Sequence, residues 1–149
     1  MNQKIIHNFT WAPIFLIGVV SLAFGFIWIL HPEPWLLDQP ANEALLQTSF
    51  NELFLDDANK FLPSYLIVIY RFFGLWLITI GLLVLSYVNI TKMGTNQARL
   101  SIYSTLLLTL ISMYYLIFKY LPTSPLLPTL YIFTLFLGLS IYFSSRMTS

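Results

Sequence analysis

Residues 9–30 read FTWAPIFLIGVVSLAFGFIWIL, and no charged side chain interrupts them. At ~1.5 Å per residue a helix of this length covers roughly 30 Å, the hydrocarbon thickness of a bilayer. Lipid offers no hydrogen bonds to the backbone, so a run of this kind has to pair its own N–H and C=O groups as a helix. Pro13 falls in the first turn, where its missing N–H is not needed. Lys4 ahead of the run and Ser21-Leu22-Ala23 inside it resemble a secretory leader with its cleavage site. The apolar region of a leader is only about 7–15 residues, and this run continues to Leu30, so we read a retained helix.

Three more apolar stretches follow, at residues 61–88, 100–118 and 126–143, and only Arg71 brings a charge into them. The polar sequence between them lies at 31–60, 89–99 and 119–125, where prolines 32, 34, 122 and 125 and Gly94 stop helices. The composition agrees: the chain is 58% hydrophobic and 9% charged, with a mean hydropathy of +0.77. A soluble domain carries roughly 25% charged residues. The expected fold is an all-α membrane protein, residues 1–149 forming one antiparallel bundle of four transmembrane helices.

The first loop is the exception to this apolar character. It holds all six acidic residues, Glu33, Asp38, Glu43, Glu52, Asp56 and Asp57. Over 42–58, Leu46, Phe50, Leu53 and Phe54 repeat at helical spacing opposite an acidic face, which predicts an amphipathic cap helix on the outer end of the bundle. Lysine and arginine favour the cytoplasmic side. Placing both termini there puts Lys4, Lys92, Arg99 and Arg146 inside against Lys60 and Lys119 outside, with a bacterial inner membrane as the expected location. Tyrosines and tryptophans cluster near the span ends, as interfacial rings do, except for Trp76 in mid-span.

Several function classes are excluded or disfavoured. The chain has no cysteine, hence no disulfide, thiolate metal site or cysteine nucleophile. No basic cluster offers a footprint for nucleic acid. The spans contain no Asp, Glu or His, so proton relays and acid–base catalysis lack titratable groups. Intramembrane hydroxyls such as Thr79, Thr105, Thr109 and Ser112 have no adjacent base and read as hydrogen-bonding groups, not nucleophiles. His31, Glu33 and Asp38 are separated by prolines and lack a second nearby histidine, so no metal or cofactor site is expected.

Arg71 is the residue that most invites a functional reading. An arginine near mid-bilayer costs about 2.5–3.5 kcal/mol on insertion scales. Its partner is an acid of the first loop, such as Glu33 or Asp38, or hydroxyls and carbonyls of neighbouring helices, or water, or an anionic or carbonyl-bearing ligand in an outward-facing pocket. The candidate ligand contacts are Arg71 with Tyr70, Gly74, Trp76 and Glu33. Gly18, Ser21 and Gly25 on the first span and Gly74 and Gly81 on the second are candidates for close helix packing.

The proline-bearing end of the first span, the long loop, Arg71-Phe72-Phe73-Gly74-Leu75-Trp76 with Gly81-Leu82, and the basic turn before two further spans form a recognisable layout. It resembles the small four-helix bacterial membrane proteins grouped as DUF4345 and, more distantly, DoxX-like proteins. The pattern departs from theirs in having Ile69 and Tyr70 before the arginine and only Gly74 after it. The resemblance implies a four-helix fold and, through the DoxX-like proteins, a quinone or lipid as ligand. The sequence therefore supports three functions: a non-catalytic subunit or helper that packs on itself or on a membrane partner, a binder or carrier of a lipophilic molecule near Arg71, and, least supported, an enzyme.

Overall fold

The structure is a computed structural model that describes residues 2–147. It is all-helical, with α1 (Gln3–Leu30), α2 (Gln39–Leu46), α3 (Phe50–Leu55), α4 (Leu62–Thr91), α5 (Asn96–Tyr120) and α6 (Leu127–Ser144). Short 3-10 turns cover Pro34–Asp38 and Asp57–Asn59. α1, α4, α5 and α6 are long and apolar enough to cross a membrane. Each begins or ends within two turns of the boundaries expected from hydropathy, with capping residues setting the final position. Asn2 and Thr95 accept backbone N–H groups at the starts of α1 and α5, and prolines occupy the first turns of α4 and α6.

The tightest packing in the molecule joins α1 to α4. Gly18 lies against Gly81, and Gly25 against Gly74, so the two helices run in opposite directions where they touch. A Cβ added at Gly25 would fall 2.6 Å from the Gly74 carbonyl oxygen, and one at Gly74 would fall 2.8 Å from the Gly25 carbonyl oxygen. Backbone therefore meets backbone, which in lipid replaces the missing hydrophobic drive with dispersion contacts. The other face of α1 packs on α6. There the buried Ser140 hydroxyl donates to the Thr10 carbonyl, and Phe9 stacks on Phe143 with centroids 4.9 Å apart. α5 packs on α6 through Tyr103 and Ser140, whose hydroxyls are 2.8 Å apart, and through Tyr114 and Thr134, at 2.9 Å.

α4 and α5 meet mainly at the turn that connects them. Tyr87 donates from its hydroxyl to the Ala98 carbonyl at 2.9 Å, and the buried Arg99 donates to the carbonyls of Met93 and Gly94 at 3.0 and 3.1 Å. Lys92 and Met93 both adopt left-handed backbone, and Arg99 ties down this turn by bonding the carbonyls of Met93 itself and of Gly94. Away from this turn the two helices separate. The buried core beside the turn includes Ile14, Val84, Val88, Met93 and Ile102.

The 31–61 segment departs from expectation. In place of one cap helix over 42–58 there are two short helices, because Gln47 takes a left-handed conformation with φ of 56°. Two local bonds stabilise the break: the Glu43 carboxylate accepts the Phe50 N–H at 2.9 Å, and the Ser49 hydroxyl accepts the Glu52 N–H at 3.2 Å. Phe50 and Phe54 still share an apolar cluster with Trp35, whereas Leu46, the first residue of the expected stripe, is exposed.

The glycine contact makes a sharp prediction. Gly25→Val should lower the melting temperature of the detergent-solubilised protein, with a loss of about 2–3 kcal/mol from overpacking. Gly138→Val should leave it unchanged, because none of the described residues lies within 4 Å of a Cβ at Gly138.

Candidate functional site

Where α4 and α5 part, a cavity of about 220 Å³ opens between them, floored by α1 and α6. Phe24 and Ile17 of α1, Phe73, Trp76 and Ile80 of α4, Leu110 of α5 and Phe133 of α6 form its walls. Three hydroxyl residues interrupt this lining, Ser21, Thr109 and Thr129, and Thr109 already donates to the Thr105 carbonyl at 2.9 Å. Trp76 is 64% exposed and Thr109 is exposed, so the cavity reaches the lipid-facing surface between them. Walls of this kind do not hold water, which needs two or more polar partners. They suit a hydrocarbon chain or an apolar ring.

Arg71 is not part of this cavity. It lies nine residues before Ile80, a rotation of about 180° around the helix, so it occupies the opposite face of α4. It is exposed, and no acid of the first loop pairs with it among the described residues. Asp38, one of the expected partners, accepts instead from the Ser124 hydroxyl at 3.2 Å. Glu33, the other, is exposed, and its backbone N–H donates to His31 Nδ1 at 3.2 Å. The other candidate contacts divide between roles. Trp76 lines the cavity, Gly74 is occupied by packing against Gly25, and the Tyr70 hydroxyl accepts from Asn42 at 2.7 Å. Among the described residues no group of three His, Asp, Glu or Cys side chains is arranged to hold a metal.

A polar cluster absent from the sequence reading sits at the loop end of the helices. Asp38, buried at 8% exposure, is bonded to Ser124 from the loop between α5 and α6, while Asn42 bridges the Asp38 carbonyl and Tyr70 of α4. Three separate stretches of chain, the 34–46 segment, α4 and the loop before α6, thus converge through three hydrogen bonds. Burial is the dominant influence on the Asp38 carboxyl and raises its pKa above the ordinary value, although the Ser124 bond pulls the other way. Glu43, in the same loop, is held below its ordinary value by the bonds it accepts from Gln39 and the Phe50 N–H. In the sequence only the acid at Asp38 pointed here, and a lone acid among prolines and apolar residues carries no pairing signal.

An acid whose pKa is higher in the folded state holds its proton more tightly there. Its contribution to stability is present at acid pH and is lost as pH rises from the ordinary carboxylate range through the folded-state value. The Asp38→Asn protein should therefore melt at or above the wild-type temperature at pH 7. The difference should shrink as pH falls towards about 4, as a thermal-shift series across pH would show. Protein-family models, curated proteins and solved structures were each compared with the chain, and none matches it.

Proposed function

We propose that the protein crosses a bacterial inner membrane four times as an antiparallel bundle with both termini cytoplasmic, and that it is a non-catalytic binder of a lipophilic molecule. The observation that carries this reading is the apolar cavity between α4 and α5, which is open to the lipid side and nearly free of polar groups. A molecule can enter it sideways from the bilayer without crossing water. The scarcity of titratable groups in the four apolar helices supports binding over catalysis. The 31–61 segment, as two short helices, would cap the outer end of the bundle. The resemblance of the sequence layout to DUF4345 and DoxX-like proteins supports a lipid or quinone occupant.

A second reading, a subunit packed against a membrane partner, is favoured by Arg71. A charge exposed on an apolar helix face gains from an acid on a neighbouring chain, and a second copy of this chain has no acid in its apolar spans to supply. The two readings use opposite faces of α4 and can be tested together. Native mass spectrometry of the detergent-extracted protein should find a retained lipophilic molecule. Leu110→Trp, which fills the cavity, should remove that molecule, and Arg71→Ala should leave it bound. A protein that carries no small molecule, or that keeps one unchanged in folded Leu110→Trp, would refute the binding reading.

A further inference from the structure

Ser21 stands apart from the other polar side chains that the fold buries. The buried polar or charged residues among those described are Thr10, Ser21, Asp38, Arg99, Ser124 and Ser140. All but Ser21 are hydrogen-bonded through their side chains. Thr10 donates to the Ile6 carbonyl, Arg99 to the Met93 carbonyl, Ser124 to Asp38, and Ser140 to the Thr10 carbonyl. The Ser21 hydroxyl, on a residue 7% exposed, bonds to none of the described residues. Helical hydroxyls elsewhere in the chain turn back to the carbonyl four residues earlier, as Thr79, Thr105, Thr109 and Thr134 do. The Ile17 carbonyl stands in that relation to Ser21 and is not used.

The Ser21 oxygen is not sealed off. Among the described residues, the only side-chain polar atom both inaccessible and unpaired is Trp28 Nε1. The unpaired Ser21 oxygen therefore keeps accessible surface, and the space it meets is the cavity whose wall Ser21 helps to form. Ser21 was grouped in the sequence with the packing glycines, yet the α1 residues against Gly74 and Gly81 are Gly18, Leu22, Gly25, Trp28 and Ile29.

Thr129 brings a second hydroxyl to the same level. Between α1 and α6, Phe9 stacks on Phe143 and Ser140 bonds Thr10, so numbers fall along α6 as they rise along α1. Eleven residues on from Thr10 is Ser21, and eleven back from Ser140 is Thr129, and both line the cavity. The Thr129 hydroxyl also bonds to none of the described residues, whereas Thr109, the third hydroxyl of the lining, is committed to the Thr105 carbonyl. Ser21 lies nine residues inside the end of α1 at Leu30, roughly 13 Å along the helix. At that depth a membrane lipid presents hydrocarbon, which would leave both hydroxyls unpaired. A carboxylate or phosphate drawn there would meet no cation, because no charged residue lines the cavity.

We infer that the cavity takes a long-chain alcohol, an uncharged hydrocarbon whose hydroxyl sits between Ser21 and Thr129. The inference rests on the lipophile-binding reading above and goes further by naming the occupant's polar group, its charge and its depth. An alcohol oxygen accepts from one of the two residues and donates to the other. A ketone oxygen only accepts, and an alkane does neither.

The test titrates hexadecanol, hexadecane, a hexadecanone and ionised hexadecanoic acid into the delipidated, detergent-solubilised protein, read by native mass spectrometry. Wild type should hold hexadecanol about fivefold more tightly than hexadecane, the equivalent of one ordinary hydrogen bond. The ketone should fall between them and the acid should bind most weakly. Ser21→Ala removes an oxygen that bonds to none of the described residues, so the variant should keep the wild-type melting temperature. It should bind hexadecanol no more tightly than hexadecane, and hexadecane as wild type does. Thr129→Val, which keeps the side-chain shape, should weaken hexadecanol in the same way and decides the matter if Ser21→Ala does not fold. Equal binding of alcohol and alkane by wild type, a ketone held as tightly as the alcohol, a preference for the acid, or an alcohol preference that survives in Ser21→Ala would each overturn the inference while leaving a lipophile site intact. Binding of none of the four would refute the lipophile-binding reading itself.

Discussion

Contact between the backbones of α1 and α4 governs the rest of the molecule. Lipid tails are as apolar as leucine side chains, so burying leucine between membrane helices gains little, and close packing must supply the attraction. Gly25 against Gly74 and Gly18 against Gly81 bring the helices near enough for carbonyl oxygens to touch the opposing backbone. This fixes the register of α1 on α4. It also presents the Ile17, Ser21 and Phe24 stripe of α1 and the Phe73, Leu77 and Ile80 stripe of α4 to the same space.

That space is not filled by α5. The third apolar helix is held to α6 by tyrosine hydroxyls and to α4 chiefly through the turn that Arg99 and Tyr87 secure. α4 commits its small-residue face to α1, and the side it turns to α5 carries Phe73, Trp76 and Leu77, which line the open space between the two helices. One face of α4 is thus made for close packing and the next for separation. Arg71 lies on neither and faces away from the cavity. At the loop end, hydrogen bonds from Asn42 to Tyr70 and from Ser124 to Asp38 join the segments that the apolar contacts leave apart.

The positions of the four apolar helices were legible in the sequence because lipid imposes a single rule, an uncharged helix of about 20 residues. The glycines of α1 and α4 could also be picked out, since small residues spaced along one face have few other uses in such helices. Other features were not legible. The break at Gln47 depends on Glu43 accepting the Phe50 N–H, a bond that helical periodicity over 42–58 does not reveal. The cavity arises from what α4 and α5 fail to do, and an absent contact leaves no mark in either helix alone. Arg71 attracted attention because a charge in an apolar span is conspicuous, yet the residues that shape the cavity are ordinary aromatics and aliphatics. Trp28 looked like an interfacial ring near a helix end, and only its burial without an acceptor distinguishes it.

Tryptophan scanning along α4 from Phe73 to Val84, read as the melting temperature of each purified variant, tests the two-faced character of this helix most directly. The account predicts the largest losses at Gly74, Ile78 and Gly81, which face α1, and small or no losses at Leu77 and Ile80, which face open space. A scan in which Leu77 and Ile80 are as intolerant as the glycines would contradict it, because α5 would then be packed against α4 with no room between them.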